Sequence, residues 1–124
     1  MPLTNNGKTF MIDSLLGNIV TPFDEDNSYI GVGNSDTSFS PSQTDLQGTK
    51  IRKPMLIGYP KKDLVDPNTL IYKAEFTELE ANYSWLEWGI FNSDDIMLIR
   101  VVEDIGIKRV GSTWIFEVFI TFES

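Results

Sequence analysis

Cysteine and histidine are both absent from this 124-residue sequence. Their absence excludes disulfides, thiolate chemistry, zinc sites built from cysteine and histidine, and catalytic triads in which imidazole is the base. We therefore expect packing alone to hold the domain together, and we assign no metal site and no cofactor. The sequence also lacks any run of about 18 apolar residues, and its N-terminus lacks the pattern of a secretory signal. We therefore expect no membrane contact.

Basic residues are few, with 10 Lys and Arg against 18 Asp and Glu, for a net charge of −8. Since nucleic-acid binding depends on basic side chains that neutralise phosphates, this balance excludes DNA and RNA as partners. Hydrophobic residues make up 41% of the chain, an ordinary share for a globular protein. A chain of this length suits one core, so we expect a single β domain over residues 1–124.

The first segment, residues 4–17, is predicted to form a short helix. Thr4 or Asn5 can cap its start, and Gly17 with Asn18 suits the left-handed backbone that ends many helices. Because so short a helix is marginally stable alone, we expect its apolar face to pack on a sheet. That face comprises Phe10, Met11, Ile12, Leu15 and Leu16.

The rest of the chain has the features of short strands separated by turns. In SYIGVG at 28–33, the two glycines indicate a bulge or a close approach of backbones. From residue 70 to residue 77, one set of residues is expected to face a core and the alternate set to face water, as in a half-buried strand. The later strands are YSWLEWGIF at 83–91, IMLIRVV at 96–102 and TWIFEVFITF at 113–122. This spacing predicts a mainly β fold, an antiparallel β-sandwich or small barrel with one short N-terminal helix.

The last strand is apolar on both faces. One face carries Trp114, Phe116, Val118, Ile120 and Phe122, and the other carries Ile115, Glu117, Phe119 and Thr121. Two interpretations are open. The strand is central and covered by the N-terminal helix, or its second face meets a neighbouring subunit through Ile115 and Phe119.

Residues 34–50 form a polar connection of a length that is typical of functional or interface loops. Its large apolar residues, Phe39 and Leu46, are expected to attach the loop to the body of the domain. The acidic run at 24–27 does not match a calcium loop, and no carboxylates form a distinctive acid–base pair, so we assign no catalytic residue. Glu87 is expected to bind backbone groups or Arg100 on the neighbouring strand.

Two tryptophans lie in the strand at 83–91, where strict alternation places Trp85 with Glu87 on one face and Trp88 on the other. They are interpreted either as core residues or as a carbohydrate platform, to which Tyr59 and Phe39 would contribute. If the rings form such a platform, the chain would be a carbohydrate-binding module for host-surface adhesion. This is the alternative function.

Four segments together resemble small structural proteins of tailed bacteriophages, and the layout is also similar to the N-terminal collar domain of phage tail fibres. They are LTNNGKTFMIDSLLGN, PFDEDNSYIGVGNSDTSFSPSQTDLQG, ANYSWLEWGIFN and IKRVGSTWIFEVFITF. The blocks QTDLQG at 43–48 and EWGIFN at 87–92 are the most specific parts of the resemblance.

The resemblance implies a non-enzymatic virion protein, either a capsid decoration protein or a tail-collar adaptor. Its expected partners are copies of itself, in a trimer or ring, and other virion proteins, and it would be assembled in the bacterial host cytoplasm. The candidate interface residues are Ile115, Phe119, Phe39, Leu46 and Trp88.

Overall fold

Two antiparallel sheets and one helix make up the computed structural model, which describes residues 1–122. The helix is α1 (Asn5–Leu15), and the strands are β1 (Ser28–Gly33), β2 (Lys50–Pro54), β3 (Lys61–Lys62), β4 (Thr69–Phe76), β5 (Ser84–Asn92), β6 (Met97–Ile107) and β7 (Trp114–Thr121). The large sheet has the order β2-β1-β5-β6, and the small sheet has the order β3-β4-β7. The two sheets face each other without closing into a barrel. The predicted mainly β fold with one short N-terminal helix is confirmed in its sandwich form.

The helix begins where the sequence places a cap. Thr4 has extended backbone angles, and its hydroxyl accepts a hydrogen bond from the Gly7 N–H at 2.9 Å. The same hydroxyl donates to the carbonyl of Met97, which ties the helix start to β6. Gly7 is buried against the backbone of Leu98, so the first turn is the part of α1 that rests on the large sheet.

The expected burial of the helix's apolar face is wrong for its C-terminal half. Ile12, Leu15 and Leu16 are 57%, 86% and 71% exposed. Phe10 is half-buried and packs edge-on against Phe23, with ring centroids 4.7 Å apart. Because α1 contacts the sheet mainly through its first turn, apolar residues further along it stay in solvent.

The core between the sheets is built around Trp85, which is fully buried. Its ring makes edge-to-face contacts with Phe76, Trp114 and Phe116, at centroid distances of 4.8, 5.0 and 5.3 Å. A register shift between β5 and β6 falls between Trp85 and Glu87. Trp85 and Trp88 therefore both contact Phe116 on the inner side, and the strict alternation expected for this strand is wrong.

The last strand, β7, lies at the end of the small sheet and pairs with β4 alone. The helix contacts β6 and not β7. The interpretation of this strand as a central one under the N-terminal helix is therefore wrong, and its outer face is left uncovered.

Candidate interaction surface

The outer side of β7 presents apolar residues to solvent. Val118 points into the sandwich and is buried, whereas Ile115, Glu117 and Phe119 alternate with it and point outward. Ile115 is 56% exposed and Phe119 is 53% exposed. Between them, Glu117 faces Lys73 of β4, with 3.6 Å between carboxylate and ammonium. We call the surface formed by Ile115, Glu117 and Phe119 the β7 face.

A cleft of about 230 Å³ runs beside β7, where the two sheets separate. Its walls include Met1 and Pro2 from the N-terminus and Ile120 from β7. Its floor includes Trp88 and Ile99, which otherwise belong to the core. The cleft is continuous with the β7 face, because Phe119 lines both.

A second exposed apolar surface lies on α1 and on the residues that directly follow it. Ile12, Leu15 and Leu16 have the i, i+3 and i+4 spacing of one helix face, and Ile19 follows after the chain leaves the helix at Gly17. We call this surface the α1 stripe, and it consists of Ile12, Leu15, Leu16 and Ile19. Sequence reasoning found the spacing of the helical members but assigned them to the interior.

The other predicted interface residues lie in different surroundings. Leu46 is buried in a small cluster with Phe91. Trp88 is 6% exposed, and its indole N–H donates to Glu103 at 2.8 Å. Phe39 is half-buried in the 34–50 segment. Leu46 and Trp88 offer almost no free area, so the predicted interface depends on Ile115, Phe119 and the exposed part of Phe39.

The 34–50 loop is held on the outer side of the large sheet by one buried carboxylate. Glu87 is fully buried and accepts a hydrogen bond from the Arg100 Nε at 2.8 Å. It also accepts from the backbone N–H groups of Gln47 and Gly48, at 2.9 and 2.8 Å. The expected pairing of Glu87 with Arg100 and with backbone groups is confirmed, and it makes the loop a third layer of the domain.

Glycines make room for this carboxylate. A Cβ atom added at Gly33 would collide with the Glu87 carboxylate, and one at Gly31 would lie 2.7 Å from the ring of Phe91. Gly48 is equally confined, because a Cβ there would collide with the Asn34 side chain. The sequence predicts a bulge or a close approach of backbones at the glycines of β1, whereas the structure places the side chains of Phe91 and Glu87 against them and keeps β1 in regular register.

Charged side chains secure the far end of the loop. The Asp45 carboxylate lies 3.0 Å from the Lys50 ammonium and 3.4 Å from the Arg52 guanidinium. Burial by itself would raise the pKa of Asp45, but hydrogen bonds from Lys50 and the Leu46 N–H, with both cations, hold the pKa below its usual value. Arg52 also stacks on Phe91, 3.8 Å from the ring centroid.

The rings proposed as a carbohydrate platform are largely enclosed. Trp85 is fully buried and Trp88 nearly so, hence neither can stack on a sugar. Tyr59 is half-buried beneath the ammonium groups of Lys61 and Lys73, at 4.9 and 5.1 Å. The tryptophans therefore give the carbohydrate alternative no support.

Comparison with family models, with curated proteins and with solved structures finds no match for this chain. Within residues 1–122, no three histidine, cysteine, aspartate or glutamate side chains are grouped as a metal site would require. In the same part of the chain, no helix combines the length and apolar character needed to cross a membrane. Function is therefore inferred from the exposed apolar surfaces.

Proposed function

We propose that this chain is a non-enzymatic structural subunit of a tailed-phage particle, a capsid decoration protein or a tail-collar adaptor. It acts by packing against copies of itself and other virion proteins. The observation that supports this most is the β7 face, where Ile115 and Phe119 remain more than half exposed on an otherwise well-packed sandwich.

An exposed apolar surface with polar neighbours has the composition of a protein interface. Soluble monomers rarely leave large contiguous apolar patches in water, since each Å² removed from water is worth about 25 cal/mol. On the β7 face, the Glu117–Lys73 pair separates two apolar contacts and supplies polar atoms between them. Apolar contacts among such polar groups are typical of the surfaces through which subunits recognise each other.

The two blocks that carry most of the phage resemblance contact each other in the fold. The carboxylate of Glu87, the first residue of EWGIFN, binds the N–H groups of Gln47 and Gly48, the last residues of QTDLQG. Glu87, Gln47 and Gly48 therefore act together to fix the 34–50 loop. The two blocks that carry the resemblance therefore form one structural unit in this chain.

Light scattering coupled to size-exclusion chromatography measures the mass of the particles in solution, and so tests whether copies of the chain associate through the β7 face. We expect the chain to form a symmetric oligomer, and Ile115→Lys combined with Phe119→Lys to shift it to monomer, because two ammonium groups would be buried. Leu64→Lys combined with Val65→Lys is the matched control, since these residues are 96% and 91% exposed and lie outside β7 and the β7 face. A control variant that dissociates equally would remove the β7 face from the proposal.

Purified particles of the phage that encodes the chain test the virion assignment. Mass spectrometry is expected to find the chain in washed particles at a stoichiometric copy number, and electron microscopy with a specific antibody is expected to locate it on the head or the collar. A chain that is abundant in infected cells but absent from washed particles would contradict the assignment.

A further inference from the structure

The sheets of this sandwich end in four edge strands, and three of these edges are protected. β2 carries Pro54 and three basic residues, and β3 has two residues, both lysine. β6 is covered by the N-terminus over residues 98–100, since Pro2 O accepts from the Arg100 N–H and the Thr4 N–H donates to Leu98 O, and its second half carries the charges of Glu103 and Asp104. Proline, lysine, shortness and coverage are the usual means by which proteins prevent edge-to-edge pairing.

The fourth edge, that of β7, has none of these protections. It is eight residues long, without proline or lysine, and Glu117 is its one charge. The Phe122 N–H donates to Asn68 O on the β4 side, so the backbone groups of alternate residues point away from β4. The residues with outward N–H and C=O groups are Ile115, Glu117, Phe119 and Thr121.

We propose that a second copy of this chain pairs with this edge, β7 against β7 in antiparallel orientation, so that the two small sheets join into one. The partner is another copy because antiparallel pairing of identical strands is self-complementary about a two-fold axis. Within residues 1–122, β7 is the one edge strand that has no proline, no basic residue and no segment paired with its outer side along any part of its length, so the strand best suited to pair with it in a second copy is β7 itself.

One register satisfies both the hydrogen bonds and the charges. With Val118 opposite Val118 of the second copy, Glu117 lies across from Phe119 and Ile115 lies across from Thr121. All four outward-facing residues then form hydrogen-bonded pairs, which gives about eight bonds at two per pair. Centring the axis on Glu117 instead loses one pair and sets two carboxylates directly opposite, which is destabilising.

This inference rests on the proposed function and deepens it, because it names a second copy as the partner of the β7 edge and places the two β7 faces side by side on the joined sheet. A two-fold contact by itself gives a dimer, in place of the trimer or ring expected from the sequence. The α1 stripe and the 34–50 loop lie outside this contact and are left for other virion proteins.

Single cysteines test the register, because the chain has no native cysteine. Val118→Cys is expected to form a disulfide-linked dimer under mild oxidation, since residues paired without hydrogen bonds have Cα atoms about 4.5 Å apart, within disulfide range. Glu117→Cys, displaced diagonally to about 7 Å or more, is expected to cross-link poorly. Ile115→Cys lies about 20 Å from its counterpart and is the negative control.

Val118 is buried, so the test also needs variants at exposed positions. If Val118→Cys does not fold, a pair of cysteines at two surface positions replaces it. Glu117→Cys chains mixed with Phe119→Cys chains are then expected to give mixed disulfide dimers, whereas neither chain alone does so. The register is overturned if Glu117→Cys alone links efficiently, or if folded chains of all three single variants link equally.

Different experimental results would contradict the β7 pairing and the virion role. Wild-type chain that self-associates while neither Val118→Cys nor the mixed pair cross-links would overturn the β7 pairing and leave the structural role intact. Wild-type chain that stays monomeric at every concentration, and is absent from particles, would overturn both. Cross-linking by Val118→Cys in a chain absent from particles would support the pairing and contradict the virion role.

Discussion

Glu87 combines two functions in a single buried side chain, since it neutralises Arg100 and holds the 34–50 loop. Arg100 is itself fully buried, and its Nη2 atom has no acceptor among the described residues. The guanidinium therefore depends on this carboxylate for its charge balance. Removing one partner of a buried ion pair leaves an uncompensated charge, and this costs more than the pair contributes.

Glu87→Ala is expected to lower the free energy of unfolding by about 3–5 kcal/mol. The loss has two physical causes, the unpaired charge of Arg100 and the unsatisfied N–H groups of Gln47 and Gly48. Urea unfolding measures it. Glu75→Ala, at an exposed position of β4, is the control and should stay within about 0.5 kcal/mol of wild type. A Glu87 variant as stable as this control would contradict the role given to the Glu87 carboxylate.

Because two tyrosines have raised pKa values, we expect the free energy of unfolding to fall at alkaline pH. Burial raises the pKa of Tyr72 to about 12, helped by the charge of Asp24, and burial also raises the pKa of Tyr83 to about 12, helped by Glu87. In the unfolded chain both phenols ionise near the ordinary tyrosine pKa of 10.0. Their stabilising contribution is therefore complete below pH 10 and is lost as pH rises towards 12.

Urea unfolding across this pH window, compared with a Tyr72→Phe variant, isolates the effect. Phenylalanine cannot ionise, so the variant is expected to lose less stability between pH 10 and 12 than the wild type does. Equal losses in both proteins would show that other groups, such as the lysines, cause the alkaline sensitivity.

At the scale of elements, α1 differs from the strands in how little of its apolar area it buries. Its cap and first turn are fixed by Thr4 and Gly7, whereas Leu15 is 86% exposed. A helix of eleven residues is marginal in isolation, so its attachment to β6 stabilises it. Its exposed stripe is consequently available for contacts outside the chain.

Substitutions that differ in burial test this arrangement. Leu15→Ala is expected to change the free energy of unfolding by less than about 0.5 kcal/mol, because the side chain is already in water. Leu98→Ala, where the leucine is 6% exposed beneath the helix, is expected to cost about 2–5 kcal/mol. Thermal unfolding at low protein concentration compares them, and a large loss for Leu15→Ala would show that the helix packs elsewhere.

At the scale of the whole molecule, charge opposes assembly while apolar surface favours it. Each copy carries a net charge of −8, so two copies repel each other at low ionic strength. Salt screens such repulsion, with a Debye length of about 10 Å at 0.1 M. Apolar contacts and backbone hydrogen bonds do not depend on that screening.

Self-association is therefore expected to strengthen as salt rises from about 0.02 M to about 0.3 M. Sedimentation equilibrium measures the dissociation constant at each salt concentration. The Lys73→Gln variant, which raises the net negative charge by one at the β7 face, is expected to show a steeper dependence. Association that weakens with salt would mean that opposite charges carry the contact.

The sequence by itself determined the local features of this protein. Thr4 and Gly17 bound the helix, alternation marked β4 and β7, and the Glu87–Arg100 pair was foreseen from neighbouring strands. These features depend on residues close in sequence or directly across a hairpin, where spacing alone decides which groups meet.

The tertiary structure alone decided which apolar residues are left in water. The spacing and the hydrophobicity of apolar residues are the same on a covered face and on an uncovered one. The sequence pattern therefore could not distinguish Leu15 and Phe119 from core residues. Strand order placed β7 at an edge, and a register shift turned Trp85 inward. Both follow from pairings between distant segments, whose free energies depend on the whole sheet and leave no local signature.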